Sequence, residues 1–525
     1  MAYIVPSGTI RICKNVPLNN TYRDTILFES ATEQFSYFLG KAKYTLDDYT
    51  YMRVNQAIRV EIKADDLYDC NYIVFRNNSF GTKYFYAFIT KITYINNETS
   101  EIQYELDVMQ TWHFDYQLKQ CFVEREHSET DEPGDNLVPE NLELGDYIFD
   151  KETHTGKDLM STPYICFFCS FNASTLDKTP RTFYTGKYTF GCDIKYFPYT
   201  ETDNINTFLK GVAENNLTDG IICAVMLPGS AVTGDGGYAW RNGEPTKLTW
   251  TVPSHISGNS LGARVIKNKK LLTYPFNFLY VTNNEGTTAN FPYEYFVTRD
   301  KCSFSVYTPV SANPEAALVP IGYKCAALQE NYNEKLTIAG FPQVAYATDA
   351  FRAWIAQNSG STALSVIGGI GQVAGGAALT YFSKGIGATA GVGAMISGVK
   401  QIAGTLVETK KAEAKPPQAN GNPSSNLNFI INRKTFDFYH CYIRPEFAEI
   451  IDDYFNAYGY ACHKVKVPNR SSRPRWNYVK TVNCNAIGSV PVEDMRKICS
   501  IYDNGITWWK QGENIGNYDL DNSPA

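Results

Sequence analysis

Over 525 residues, 48 Lys and Arg stand against 54 Asp and Glu, a formal net charge of −6 at pH 7. A chain of this length exceeds what one hydrophobic core supports, so roughly two to four domains are expected. The mild, dispersed acidity excludes a nucleic-acid clamp, which needs concentrated cation, while 37 Tyr and 30 Phe lean the composition towards strands.

In chain order, the opening MAYIVPSGTIRICKNVPLNN has no basic leader and is broken early by Pro6 and Gly8, so no signal peptide is expected. Residues 1–127 read as a β-rich unit. Its clearest element is a hairpin: Lys83–Ile95, a turn over 96–100, then Glu101–Val108. On that second strand Ile102, Tyr104, Leu106 and Val108 share one face, and Glu101, Gln103, Glu105 and Asp107 the other. One face is core; the other is wet and acidic, the solvated side of an antiparallel sheet or the wall of a channel in a ring of subunits. The loop-rich run SETDEPGDNLVPENLELGD follows and marks a boundary.

Residues 150–345 read as short aromatic strands, among them Lys187–Phe190, Phe276–Val281 and Phe291–Thr298, broken by Gly, Asn and Pro. A sandwich or jelly-roll-like insertion is expected. The last hundred residues carry two helices. Pro445–Tyr458 places Phe447, Ile450, Ile451, Tyr454 and Phe455 on one stripe before Gly459, and Pro491–Asp503 does the same with Met495, Ile498, Cys499 and Tyr502 before Gly505. Between them lies a basic stretch, Lys464–Lys480, with Arg470, Arg473, Arg475 and Trp476. It suits single-stranded nucleic acid; in an acidic chain it reads better as a loop whose charges balance acidic neighbours across a subunit contact.

Chemistry-bearing motifs are missing from the sequence: there is no phosphate-binding loop, no nucleophile elbow and no H-E-x-x-H. The 13 cysteines read as reduced, mostly buried thiols. Cys166 and Cys169 have C-x-x-C spacing, but no second pair completes a zinc site, and on a strand they point to opposite faces. The histidines (His113, His127, His154, His255, His440 and His463) are spread singly, so no metal site and no cofactor are expected. The acid pairs Asp65-Asp66 and Asp452-Asp453 read as solvated surface.

One block is unlike the rest. Ser361–Ser383 (STALSVIGGIGQVAGGAALTYFS) is uncharged, meets Lys384, and continues through 15 more uncharged residues, Gly385–Val399. A core helix pair would not tolerate its ten glycines, each costing about 1 kcal/mol against Ala in a helix interior; a flexible linker would be more polar. A membrane-active hairpin fits best. Leu364, Val366, Ile367, Ile370, Val373, Leu379, Phe382, Ile386, Val392, Met395 and Ile396 supply lipid affinity. Gly371, Gly375, Gly387 and Gly391, spaced four apart, permit close helix–helix contact in lipid. Each Leu, Ile, Val or Phe contributes only about −0.3 to −0.6 kcal/mol at a membrane centre, and seven of these occur in Ser361–Phe382. A single copy inserts marginally, so insertion is expected to be collective. A polar exit, Lys410–Asn426, follows the block.

Several stretches carry a family resemblance: Met1-Ala2-Tyr3 with Pro6-Ser7-Gly8, Tyr68–Phe88, Glu105–Trp112 with Phe122–His127, Tyr458–Tyr478, and Tyr502–Tyr518. They resemble the distal tail knob proteins of small short-tailed bacteriophages. The resemblance implies a non-enzymatic, mainly β (α+β) protein of the virion tail tip, made in the host cytoplasm. It implies a homo-hexamer whose β-barrel tube domains surround a DNA channel and contact other tail proteins. Its apolar loop would plug that channel, then enter the host cytoplasmic membrane as a pore while genomic DNA passes without sequence-specific binding. The expected division is a first tube part (1–127), a β-rich knob insertion (128–345), the apolar loop with its polar exit (346–425) and a second tube part (426–525). The rivals are a receptor-binding or cell-wall-degrading tail protein and a purely structural tube protein.

Overall fold

A computed structural model of the chain describes residues 8–49, 56–77, 81–153, 159, 164–178, 183–184, 189–190, 193–198, 201–217, 220–227, 246–308, 315–325, 327–339, 343–345 and 435–524. Strands dominate it, as composition and resemblance led one to expect. Contacts divide the chain into two units, one of Met1–Asp146, Asn259–Phe276 and Ile443–Ala525, the other of Tyr147–Gly258 and Asn277–Tyr442.

The first unit holds a six-stranded antiparallel sheet in the order Ala42–Tyr49, Gly8–Lys14, Cys70–Asn77, Tyr84–Asn96, Thr99–Leu106, Ala57–Val60. Period-two alternation buries Ile10, Ile12, Ile102 and Tyr104, as a sheet with one covered face requires. Helix Ala31–Gly40, capped by the Ser30 side chain accepting from the Glu33 N–H, lays Phe38 on Tyr72 with ring centroids 5.0 Å apart. The expected hairpin is present but tighter: Asn96 pairs with Thr99, so the turn is Asn97-Glu98. The second strand ends at Leu106, because Asp107 caps a short helix, Val108–Thr111, accepting from the Met109 and Gln110 N–H groups. Val108 therefore belongs to a helix, and Asp107, 1% exposed, leaves the wet face.

A five-stranded sheet completes this unit: Asp24–Ile26, Ile506–Trp509, Trp476–Val482, Cys121–Glu126, Tyr460–Lys466. Its first pairing is parallel and joins the two ends of the chain. Trp476, Trp508, Trp509 and Tyr460 are fully buried there. Both predicted helices form, as Pro445–Tyr458 and Val492–Asn504. The first is rotated from its predicted stripe: Ile450 is exposed, while Ala448, Ile451, Asp452 and Phe455 are buried.

The second unit contains a sheet in the order Tyr147–Lys151, Asp437–Ile443, Asn277–Thr282, Thr288–Phe291 and another in the order Thr246–Pro253, Lys301–Thr308, Ala316–Ile321, Leu336–Ile338. Trp250 and Phe304 of the latter pack against Phe438 of the former, so the two form a sandwich. A third sheet runs Asp193–Pro198, Tyr164–Cys169, Ile221–Leu227, Gln343–Ala345. Helix Thr202–Glu214 covers it through Phe208, which meets Phe167 and Phe197. Cys166 and Cys169 are both buried on the Tyr164–Cys169 strand. Phe291–Thr298, read as a strand, instead ends one and continues as a 3-10 turn over Tyr293–Tyr295, because Pro292 cannot donate to a ladder.

The seams between the units do not coincide with the composition changes at 127 and 345. Polar, proline-bearing composition marks loops, whereas contacts decide which unit a loop joins. Asp131 accepts from the Lys269 N–H at 2.9 Å and from the Tyr460 hydroxyl. Glu140 accepts from the Ala461 N–H at 2.9 Å. These bonds hold the loop after His127 in the first unit.

Candidate functional site

The residues predicted to enter a membrane, Leu364 to Ile396, and the closely packing glycines Gly371, Gly375, Gly387 and Gly391 lie outside the described residues. The described segments on either side, Gln343–Ala345 and Asp437–Ile443, are strands of two different sheets of the second unit. Among the described residues, no helix is long and apolar enough to cross a membrane.

The acidic face of the first unit is less acidic than its sequence. Glu101 pairs with Arg59 at 3.1 Å and Glu105 with Lys497 at 2.5 Å. Burial pushes the Glu105 carboxyl up, but bonds from Lys497 and Asn20 outweigh it and hold it below its usual value. Asp107 is raised to about 6, chiefly by burial, while Tyr72 donates to it at 2.8 Å. Part of the basic stretch is likewise paired within the chain. Lys480 pairs with Glu124 at 2.7 Å and Lys466 with Glu126. Arg470 lies 5.1 Å over the Trp508 ring, and Arg473 is 3% exposed. Trp476 donates its indole N–H to the Asn456 carbonyl at 2.8 Å and is core, so it offers no base a stacking surface.

Of the two acid pairs, Asp452 corrects the solvated reading. It is fully buried and accepts from the backbone N–H groups of Lys267 (2.8 Å) and Asn268 (3.0 Å) and from the Asn268 side chain (2.8 Å). It ties the Asn259–Phe276 segment to helix Pro445–Tyr458. Asp65 and Asp66 open a 3-10 turn, Ala64–Leu67, and are surface.

The histidines are not all single in space. In the second unit His255 and His440 stack with ring centroids 3.7 Å apart and planes 6° from parallel, and Glu152 contacts His255 Nε2 at 2.6 Å. One ligand-capable atom from each of the three lies within 4.8 Å of the others. The Asn277 side-chain amide donates to the His255 carbonyl at 2.7 Å, which turns its Oδ1 towards His440 Nε2 at 2.8 Å. That nitrogen therefore carries the proton, and Nδ1 keeps the lone pair. Burial, then His255, lowers His440 to about 3. Tyr293 packs its ring near both histidines; its buried hydroxyl has no hydrogen-bond partner and is pushed well up by burial first, then by Cys302 and Glu152. No sequence spacing signals this cluster, since Glu152 and His255 are 103 residues apart.

The fold matches a solved phage tail component. The structure of the bacteriophage C1 tail knob protein, gp12, superposes with a TM-score of 0.60 at 15% identity, covering 97% of this chain and 98% of that one. The architecture is thus that of a phage tail knob. Sequence comparison is more specific. The tail knob protein gp9 of Bacillus phage B103 is 27% identical, covering 99% of this chain and all of that protein. Its counterpart in Bacillus phage phi29 is 25% identical over the same shares. Residues 6–117 match the N-terminus of the caudoviral major tail protein. Residues 240–523 match the C-terminal domain of the phi29 tail knob protein gp9, more than half of the chain, and the chain belongs to that family of virion tail proteins.

Proposed function

We propose that this tail knob protein works as a homo-hexameric tube at the tail tip, with the apolar loop Ser361–Val399 as a stored, collective pore-former. Before infection the loops plug the channel; on infection they enter the host cytoplasmic membrane and genomic DNA passes through. The observation that carries this reading is the composition of the block: too glycine-rich for a core, too apolar for a linker, and too weak to anchor one chain. Six copies at one site supply the local concentration that marginal insertion needs. The mechanism requires no bond chemistry, so the chain acts as a conduit without enzymatic activity, contacting other tail proteins. The ion-paired Glu101 and Glu105 support a wall that neither binds nor strongly repels DNA.

Dye release from liposomes tests this directly. Wild-type protein is expected to leak vesicles under at least one of low and neutral pH, and a chain lacking 361–399 is not. Equal leakage from both would leave the block as a seal between subunits. Native mass spectrometry reads the hexamer independently, and clearing of cell-wall substrate by the purified protein would favour an enzymatic tail protein instead.

A further inference from the structure

We infer that Glu152, His255 and His440 form a binding site for a zinc-class divalent cation in the second unit. Two imidazoles and one carboxylate are a donor set suited to Zn²⁺, whereas Ca²⁺ and Mg²⁺ prefer oxygen alone. The supporting layer is present. Asn277 fixes the His440 tautomer by accepting from Nε2, the arrangement that orients metal-binding histidines. The site has an entry path, because the His255 side chain is 35% exposed while that of Glu152 is 12% exposed.

A second observation points to a ligand in the same place. The Tyr293 hydroxyl is buried beside the cluster with no hydrogen-bond partner, which costs roughly 1–3 kcal/mol unless something satisfies it. Three protein ligands leave a tetrahedral ion one open position, filled by water, and that water is a partner the hydroxyl lacks. The stack itself must yield. An ion about 2.0–2.1 Å from each nitrogen cannot lie in both planes of rings stacked 3.7 Å apart. Capture therefore tilts the half-exposed His255 off His440 and exchanges its bond to Glu152 for a shared ion. The ion would join three segments distant in sequence: the end of Tyr147–Lys151, the turn after Thr246–Pro253, and the Asp437–Ile443 strand.

The test uses the full chain, stripped with chelator and titrated with Zn²⁺ alone by calorimetry, and with Co²⁺ alone by visible absorption. Wild type is expected to bind one ion more tightly than Glu152→Gln and His440→Gln, by about tenfold or more, with a d–d band that both variants lose. The cysteines are common to all three proteins, so binding that is equal in wild type and variants would assign the metal to thiols and overturn the site. Absence of binding to wild type would overturn it too. If His440→Gln fails to fold, Glu152→Gln decides alone, since its amide oxygen still accepts from His255.

Discussion

His127 shows how a buried polar residue sets acid tolerance. Its Nδ1 accepts from the Tyr478 N–H at 2.8 Å, and its Nε2 donates to the Asn456 carbonyl at 3.1 Å. A second proton has nowhere to go, and burial, then Arg473, lowers it from 6.5 to about 3. Above pH 6.5 both folded and unfolded chains hold it neutral, and its contribution is intact. As pH falls from 6.5 towards 3, only the unfolded chain takes the proton, and stability drains by up to about 1.4 kcal/mol per pH unit. Asp107, raised from 3.8 to about 6, runs oppositely: its contribution is full below 3.8 and lost as pH rises through 6. Glutamine can both accept from Tyr478 and donate to Asn456, so His127→Gln is expected to flatten the acid decline. Urea unfolding across that pH range checks it; an unchanged slope would remove His127 as its source. None of this was legible in the sequence, where His127 was one of six scattered histidines, because its partners come from helix Pro445–Tyr458 and strand Trp476–Val482.

At the scale of elements, buried ion pairs fix where loops dock. Lys270 and Glu140 meet at 2.6 Å with side chains 4% and 2% exposed, and Arg125 reaches the same carboxylate. Removing the shared carboxylate strands the buried Lys270 charge, so Glu140→Gln is expected to cost about 3–5 kcal/mol. Adding Lys270→Met should recover part of that loss, as a double-mutant cycle of melts would read. A single-mutant loss below about 1 kcal/mol would make the pair no stronger than a surface bridge. The existence of the helices and the hairpin was legible, because stripes and alternation are local. Their faces were less so: Ile450 lies exposed and Asp452 buried because the orphan N–H groups of Lys267 and Asn268, some 185 residues away, need an acceptor. Gly459 was legible as a stop; the structure adds that its φ is positive, 65°, and that an added Cβ would collide with the Glu126 carbonyl.

At the scale of the molecule, the first unit is assembled from three separated stretches of chain. Asp24–Ile26 pairs in parallel with Ile506–Trp509, and Trp509 donates to Asp24 at 2.7 Å. Truncation after Asn504 removes an inner strand of the five-stranded sheet along with Trp508 and Trp509, and is expected to abolish cooperative unfolding of this unit. Circular dichroism melts of full and truncated chains decide the matter; a retained transition of full amplitude would show the strand to be dispensable. The resemblance in the sequence lay mostly at the two ends, which are the parts this unit brings together, whereas the seams within 128–345 were hidden because their contacts are long-range. The same pairing sets a timetable during synthesis. A ribosome adding roughly 5–20 residues each second releases the Ser361–Val399 block well before Ile506 exists. For on the order of ten seconds this glycine-rich apolar block has already been synthesised while the first unit still lacks its last strand. Closure of the first unit therefore waits for the last twenty or so residues of the chain, because the strand Ile506–Trp509 must be made before Asp24–Ile26 has its partner.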